Sequence, residues 1–245
     1  GTYVNIFSAD SAFAALNATG HITVWGGSTY GGCMSGESAG LCAPSDNGYV
    51  NIFSTARAFA AMKDDGSITA WGSPSYGGSN APTDNGYTNI FSTERAFAAL
   101  KADGSITAWG ASTHGGSGAP DDDGYTSIAS NPRAFAALKA DGSITAWGNL
   151  NYGGSNEPDH NGYTEIVSTQ EAFAALKDDG SVFAWGVSGK GGCNNGDSPG
   201  DTCAPAGVGY TKIVATGHAF AALKSDGSIS AWGNPTYGGS GAPTT

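Results

Sequence analysis

The chain has 245 residues, 21 acidic against 10 basic, a net charge of -11, and no run of Lys or Arg that could follow a phosphate backbone. Glycine supplies 40 residues, yet six Trp, ten Tyr and ten Phe accompany it at regular intervals, which argues against disorder. Apolar stretches reach only the length of Ala-Phe-Ala-Ala-Leu, far below the roughly 20 residues that span a bilayer, so neither nucleic acid nor membrane insertion is expected.

Trp25, Trp71, Trp109, Trp147, Trp185 and Trp232 beat at 38 residues through the middle of the chain and at 46 and 47 at its two ends. Tyr3, Tyr49, Tyr87, Tyr125, Tyr163 and Tyr210 keep the same intervals. A fixed period of this size signals a repeat architecture. The units run 1–46, 47–84, 85–122, 123–160, 161–207 and 208–245, and are expected to form a single domain over 1–245. Residue 1 is Gly and no signal peptide precedes it, so a processed or excised piece is expected.

Each unit opens on a strand, as in "YTNIFS" at 87–92, and continues into a second, "AFAALK" at 96–101. Asp103-Gly104 then turns the chain into a third, "SITAWG". Five units carry Asp-Gly here and the first carries Thr19-Gly20; glycine suits a hairpin turn that needs positive φ. The rest, "ASTHGGSGAPDDDG", is loop chemistry with at most a short edge strand. Alanines such as Ala96, Ala98 and Ala99 allow close stacking of sheets, while Phe97, Leu100, Ile106, Trp109 and their counterparts supply the core.

"AFAALKADGSITAWGNLNYGGS" resembles the repeat of the regulator of chromosome condensation family, with its small-apolar strand, Asp-Gly turn and Trp-Gly strand end. The resemblance extends over all six units and implies an all-β fold, a β-propeller of four-stranded blades, here six blades of about 38 residues. Nothing matches the surfaces by which the eukaryotic namesake exchanges nucleotide or binds chromatin. Function therefore has to be sought in what departs from the period.

The cysteines depart most. Where an ordinary unit reads Gly-Gly-Ser-Asn-Ala-Pro at 77–82, the first has Cys33 and Cys42, and the fifth Cys193 and Cys203, flanking an insertion between Gly-Gly and Ala-Pro. Local disulfides Cys33–Cys42 and Cys193–Cys203 would close these loops, and they imply an oxidising compartment. The spacing does not suit a zinc site, and free thiol pairs in a reducing cytosol are the other alternative. Asn17-Ala18-Thr19 is an N-glycosylation sequon on a hairpin turn, so Asn17 is a candidate glycosylation site. Together these features point to a secreted protein or one on the cell surface.

Tyr30, Tyr76, Tyr152 and Tyr237 precede Gly-Gly, with His114 and Lys190 at the same place in units 3 and 5. These six positions could stack on sugars, or could pack between blades. The acidic loops "SDNG", "TDNG", "DDDG" and "DHNG" lack the bidentate Glu of a calcium loop and read as solvated turns. His21, His114, His160 and His218 occupy different units at different phases, and no nucleophile elbow or phosphate loop is present. No enzyme activity, cofactor or metal is expected. The reading is an extracellular structural or adhesive module that contacts protein partners or copies of itself, the alternative being a carbohydrate-binding propeller. Blades 5, 6 and 1, with the insertions, are expected to form the working side.

Overall fold

A computed structural model of the chain describes residues 2–33, 42–193 and 203–243. It is all-β: six three-stranded antiparallel sheets, each within one of the six intervals read from the sequence. These are the blades of a six-bladed β-propeller. The first three blades are β1 Tyr3–Ser8, β2 Ala12–Asn17, β3 Ile22–Gly26; β4 Tyr49–Ser54, β5 Ala58–Lys63, β6 Ile68–Gly72; and β7 Tyr87–Ser92, β8 Ala96–Lys101, β9 Ile106–Gly110. The others are β10 Tyr125–Ser130, β11 Ala134–Lys139, β12 Ile144–Gly148; β13 Tyr163–Ser168, β14 Ala172–Lys177, β15 Val182–Gly186; and β16 Tyr210–Ala215, β17 Ala219–Lys224, β18 Ile229–Gly233. A single 3-10 turn follows the third strand of every blade, as at Pro74–Tyr76. In place of a fourth strand, the described residues then run as a Gly, Ser, Pro and Asp loop.

The chain divides into two compact units, Gly1–Asp123 and Gly124–Thr245, each holding three blades. Within a unit, consecutive blades pack face to face, and strand alternation assigns each side chain its face. Ala58, Ala60, Met62 and Ile68 point forward from blade 2 and meet Tyr87, Ile90, Phe97, Ala99 and Trp109 on the back of blade 3. The same two sets recur between blades 1 and 2, 4 and 5, and 5 and 6. Alanine on both facing strands lets the backbones approach, and the Phe and Trp rings fill what remains; each fully buried ring contributes roughly 1.5–3 kcal/mol.

Tyr87 and Ile90 are three residues apart and would alternate onto opposite faces of a regular strand. A bulge brings both to the back: Tyr87 pairs with Lys101 and Asn89 with Leu100, leaving Thr88 unpaired. The amide of Ile90 donates to Asn89 Oδ1 at 2.9 Å and holds the irregularity. Equivalent bulges interrupt the first strand pair of all six blades.

The Asp-Gly hairpins also have one construction. Lys101 N–H donates to Ser105 O, Gly104 N–H donates to Lys101 O, and Gly104 alone takes positive φ, at 87°. This is the three-residue hairpin loop with glycine in the left-handed position. Asp103 Oδ1 accepts from the amide and hydroxyl of Ser105, which holds its carboxyl below the usual carboxylate range.

Candidate functional site

The six positions before Gly-Gly end the 3-10 turns, and in blades 2 to 6 the loop between the first two strands fixes them. Thr55 Oγ1 donates to Tyr76 O at 2.8 Å, Thr93 to His114 O at 2.9 Å and Thr216 to Tyr237 O at 3.0 Å. Asn131 Nδ2 does the same for Tyr152 and Thr169 Oγ1 for Lys190. Two residues further along that loop stands a titratable side chain that the periodic core conceals. It is Arg57, Arg95, Arg133, Glu171 and His218 in blades 2 to 6.

In the first unit these residues interleave. The Arg57 guanidinium lies 4.8 Å from the Tyr30 ring centre and 5.0 Å from that of Tyr76, and Arg95 lies 4.8 Å from Tyr76. A guanidinium over an aromatic face is attracted by the ring quadrupole. Tyr76 is buried with a cation at each of two contacts, so a sugar stacking on it would have to displace an arginine. His114 is buried as well, with Nδ1 2.9 Å from Thr113 Oγ1.

In the second unit Arg133 lies 4.7 Å from the Tyr152 ring. One blade later both partners change. Lys190 replaces the tyrosine, Glu171 replaces the arginine, and Lys190 Nζ lies 3.8 Å from Glu171 Oε1. The substitution at Lys190 is therefore one half of a charge exchange within the packing. His218 Nδ1 is 3.9 Å from the same Glu171 oxygen, and its ring meets Tyr237 edge-on with centroids 4.4 Å apart. Of the four tyrosines, Tyr237 is the exposed one, at 48%.

A second polar cluster surrounds the opening tyrosines of blades 2 and 3. Tyr49 OH donates to Asp46 Oδ1 at 3.0 Å and lies 2.9 Å from Thr69 Oγ1, and Lys63 Nζ reaches Asp46 Oδ2 at 2.6 Å while lying 5.0 Å from the Tyr49 ring. Asp84, Tyr87, Lys101 and Thr107 repeat this arrangement. The lysine hydrogen bond holds Asp46 and Asp84 below the ordinary carboxylate range, and burial pushes Tyr49 and Tyr87 up. The acidic loops at 45–48 and 83–86 thus clamp the opening strand of the next blade to its lysine. Among the described residues no group of His, Cys, Asp or Glu is placed to hold a metal ion.

Asn17 replaces the clamp lysine in blade 1, and its side chain turns to the hairpin instead. Asn17 Oδ1 accepts from Thr19 N–H, Thr19 Oγ1 and His21 N–H at 2.9–3.0 Å, performing the task of the aspartate that this turn lacks. Cys33 is joined to Cys42 and Cys193 to Cys203, with Cα atoms 4.9 and 5.2 Å apart. Those separations lie within the usual disulfide span. The enclosed segments, 34–41 and 194–202, on which the expected working rim falls, lie outside the described residues.

Repeated three-stranded blades with a shared aromatic joint define the fold as an RCC1-like β-propeller. No family model and no curated protein matches the sequence. Among solved structures, human WBSCR16 is similar at 15% identity and a TM-score of 0.55, over 95% of this chain and 76% of that one. Prp20p of Saccharomyces cerevisiae, also called yeast RCC1, is similar at 16% identity and a TM-score of 0.52, over 94% and 72%. The CRINKLY WD40 ectodomain of the Arabidopsis thaliana receptor kinase ACR4 is similar at 17% identity and a TM-score of 0.52, over 94% and 79%.

Proposed function

We propose that the chain is a non-enzymatic protein-interaction module, secreted or displayed on a cell surface, whose propeller holds contact loops in place. The observation that carries this reading is the pair of cysteine bridges. Blades that otherwise copy one another closely diverge at one shared point, and in both cases a disulfide closes the neck of the divergence. A loop tied at its neck loses conformational freedom before it binds, which lowers the cost of ordering it against a partner. Similar propellers fit the class: Prp20p is described with binding to Gsp1p and histones, and ACR4 as a receptor kinase with an ectodomain. Partner chains or further copies of this chain are the proposed contacts, with adhesion as the biological outcome. Glycans are the less favoured ligand, because arginines already lie against Tyr30, Tyr76 and Tyr152.

The test is a variant in which both insertions are trimmed to the Ser-Asn of an ordinary blade. Immobilised wild-type protein should retain proteins from the surface fraction of its source, and the trimmed variant should lose them while keeping its circular dichroism. Equal retention by both, or binding on a glycan array without protein retention, overturns the reading.

A further inference from the structure

The clamp on the opening tyrosine has three parts in blades 2 and 3: a carboxylate three residues before the tyrosine, a threonine on the third strand and a lysine at the end of the second. Asp84, Thr107 and Lys101 meet at Tyr87 in this way, with Lys101 Nζ on the Asp84 carboxylate and 4.9 Å from the ring. In blade 5 two of the three are replaced. His160 stands three residues before Tyr163, and Phe183, paired with Ala175, takes the register that Thr107 holds against Ala99. Lys177 remains, paired in register with Tyr163.

The two donors that are left have no carboxylate between them. Lys177 Nζ lies 5.8 Å from the Tyr163 ring, against 4.8–5.0 Å for the same contact in blades 2, 3, 4 and 6. Among the described residues Lys177 Nζ makes no ion pair and Tyr163 OH no hydrogen bond. Burial, with Asp159 and Asp179 adding to it, pushes the Tyr163 hydroxyl up, so it stays protonated and remains a donor. Loss of the aspartate alone does not open the clamp this far: blade 6 has Gly207 at that place, yet Tyr210 OH keeps Ser230 Oγ at 2.8 Å and Lys224 stays 4.8 Å from the ring. His160 does not stand in for the carboxylate either, because its Nδ1 pairs with Asp159 beside it. Lys177, His160, Asp159, Asp141, Ile144 and Pro158 line an open cleft of about 540 Å³ between blades 4 and 5, both of which belong to one compact unit.

We infer that this cleft binds a carboxylate from outside the chain, seated between Lys177 Nζ and Tyr163 OH where blades 2 and 3 use their own aspartate. The chemistry of the ligand follows from those blades, in which an ammonium and a phenol hydroxyl converge on one carboxylate; blade 5 keeps both groups. Such charge-assisted hydrogen bonds are about twice as strong as neutral ones. The acidic turns nearby do not forbid an anion. Asp84 stands in a loop tied to Asp65 through Gly86 N–H, as the His160 loop is tied to Asp141 through Gly162 N–H, and the Asp84 carboxyl is nevertheless held low. Asp159, where the loop of blade 2 has Thr83, is paired with His160. Ile144 and Pro158 give the ligand's carbon chain an apolar wall. A free organic acid and an acidic side chain present the same group, and the cleft is open enough to admit either. The site is apart from the disulfide-necked loops and does not depend on them.

The experiment titrates the whole chain with acetate and with a capped Gly-Glu-Gly peptide, at neutral pH and constant ionic strength, and follows backbone amides by proton–nitrogen correlation spectra. Saturable shifts at Asn161, Gly162, Tyr163 and Lys177 should appear with one probe or both, and not with acetamide or chloride. Tighter binding of acetate identifies a free acid as the form bound, and tighter binding of the peptide a partner's side chain. His160→Asp returns the internal carboxylate, so it should raise the thermal midpoint and weaken binding by about tenfold or more. Lys177→Gln should weaken binding as well, whereas His160→Ala, which supplies no carboxylate, should bind as wild type does. The insertion-trimmed protein should also bind as wild type does, which separates this inference from the reading of the loops. No saturable shift with either probe, equal shifts from acetamide, or undiminished binding by His160→Asp would overturn it.

Discussion

The Trp109 indole N–H donates to the Gly77 carbonyl at 3.0 Å, so the last strand of blade 3 is tied to the loop of blade 2 by the same glycine that faces the Phe97 ring. Gly77 has φ of 91°, and a Cβ there would lie 2.7 Å from Phe97 Cδ2. Two independent constraints meet at one residue.

Gly86 separates them, since it has φ of 86° and a Cβ there would meet nothing within 4 Å among the described residues. Gly86→Ala should cost only the left-handed strain, roughly 1–2 kcal/mol. Gly77→Ala adds a clash in a packed core and should cost about 3 kcal/mol or more. Urea unfolding followed by tryptophan fluorescence compares the two; equal losses would show that Phe97 yields without penalty.

The carboxyl groups set the acid limit. Asp46 and Asp84 are held low by their lysines, and Asp65, Asp103, Asp141, Asp179 and Asp226 by the following serine. A depressed folded pKa contributes stability that is complete above the unfolded value, about 3.9, and is lost as pH falls through the folded values. Thermal midpoints should therefore be level through neutral pH and drop below pH of about 4. Tyr49, Tyr87 and Tyr163 are raised by burial, so their contribution is complete below about pH 10 and lost as pH rises through their folded values. Asp103→Asn should shallow the acid decline, and an unchanged profile would remove that turn from the account.

The Glu171 and Lys190 exchange predicts a coupling. Glu171→Arg alone sets two cations together, and Lys190→Tyr alone leaves Glu171 beside a ring. The double variant restores the arrangement of Arg133 and Tyr152, so it should be more stable than the sum of the single changes by about 0.5–1 kcal/mol. Additive losses would mean that the two side chains do not sense each other.

Asn17 has a structural task whatever it carries. Asn17→Ala removes the acceptor of three hydrogen bonds in the hairpin and should cost about 1 kcal/mol. Its amide nitrogen is outside those bonds, so a glycan attached there would not compete with them. Intact mass of material secreted from eukaryotic cells should fall on enzymatic deglycosylation for wild type and not for Asn17→Ala. The same sample, alkylated without reduction, should take no label at Cys33, Cys42, Cys193 or Cys203; four labelled thiols would remove the bridges and the extracellular assignment with them.

Much of this was legible in residues that repeat. The Trp and Tyr beat, the Asp-Gly turns and alternation in "AFAALK" place the strands and the core, because burial selects the same residue at the same phase in each blade. The bulge at Thr88 was not legible: only pairing with Lys101 and Leu100 shows that Tyr87 and Ile90 share a face. Nor were the arginine contacts, since Arg57 and Tyr30 are 27 residues apart in different blades and the charge changes sign at Glu171. Lys190 stands in the sequence as a lone replacement of the tyrosine, and only Glu171 beside it in space gives it a role.

Because every blade within a unit receives its neighbour on one face and offers the same socket on the other, no blade encodes its own ordinal position. A stretch of DNA copied in phase adds a complete blade that finds both faces already suited to it, and one lost in phase leaves the flanking pair able to join. The packing between consecutive blades within a unit thus carries no information about which repeat is which.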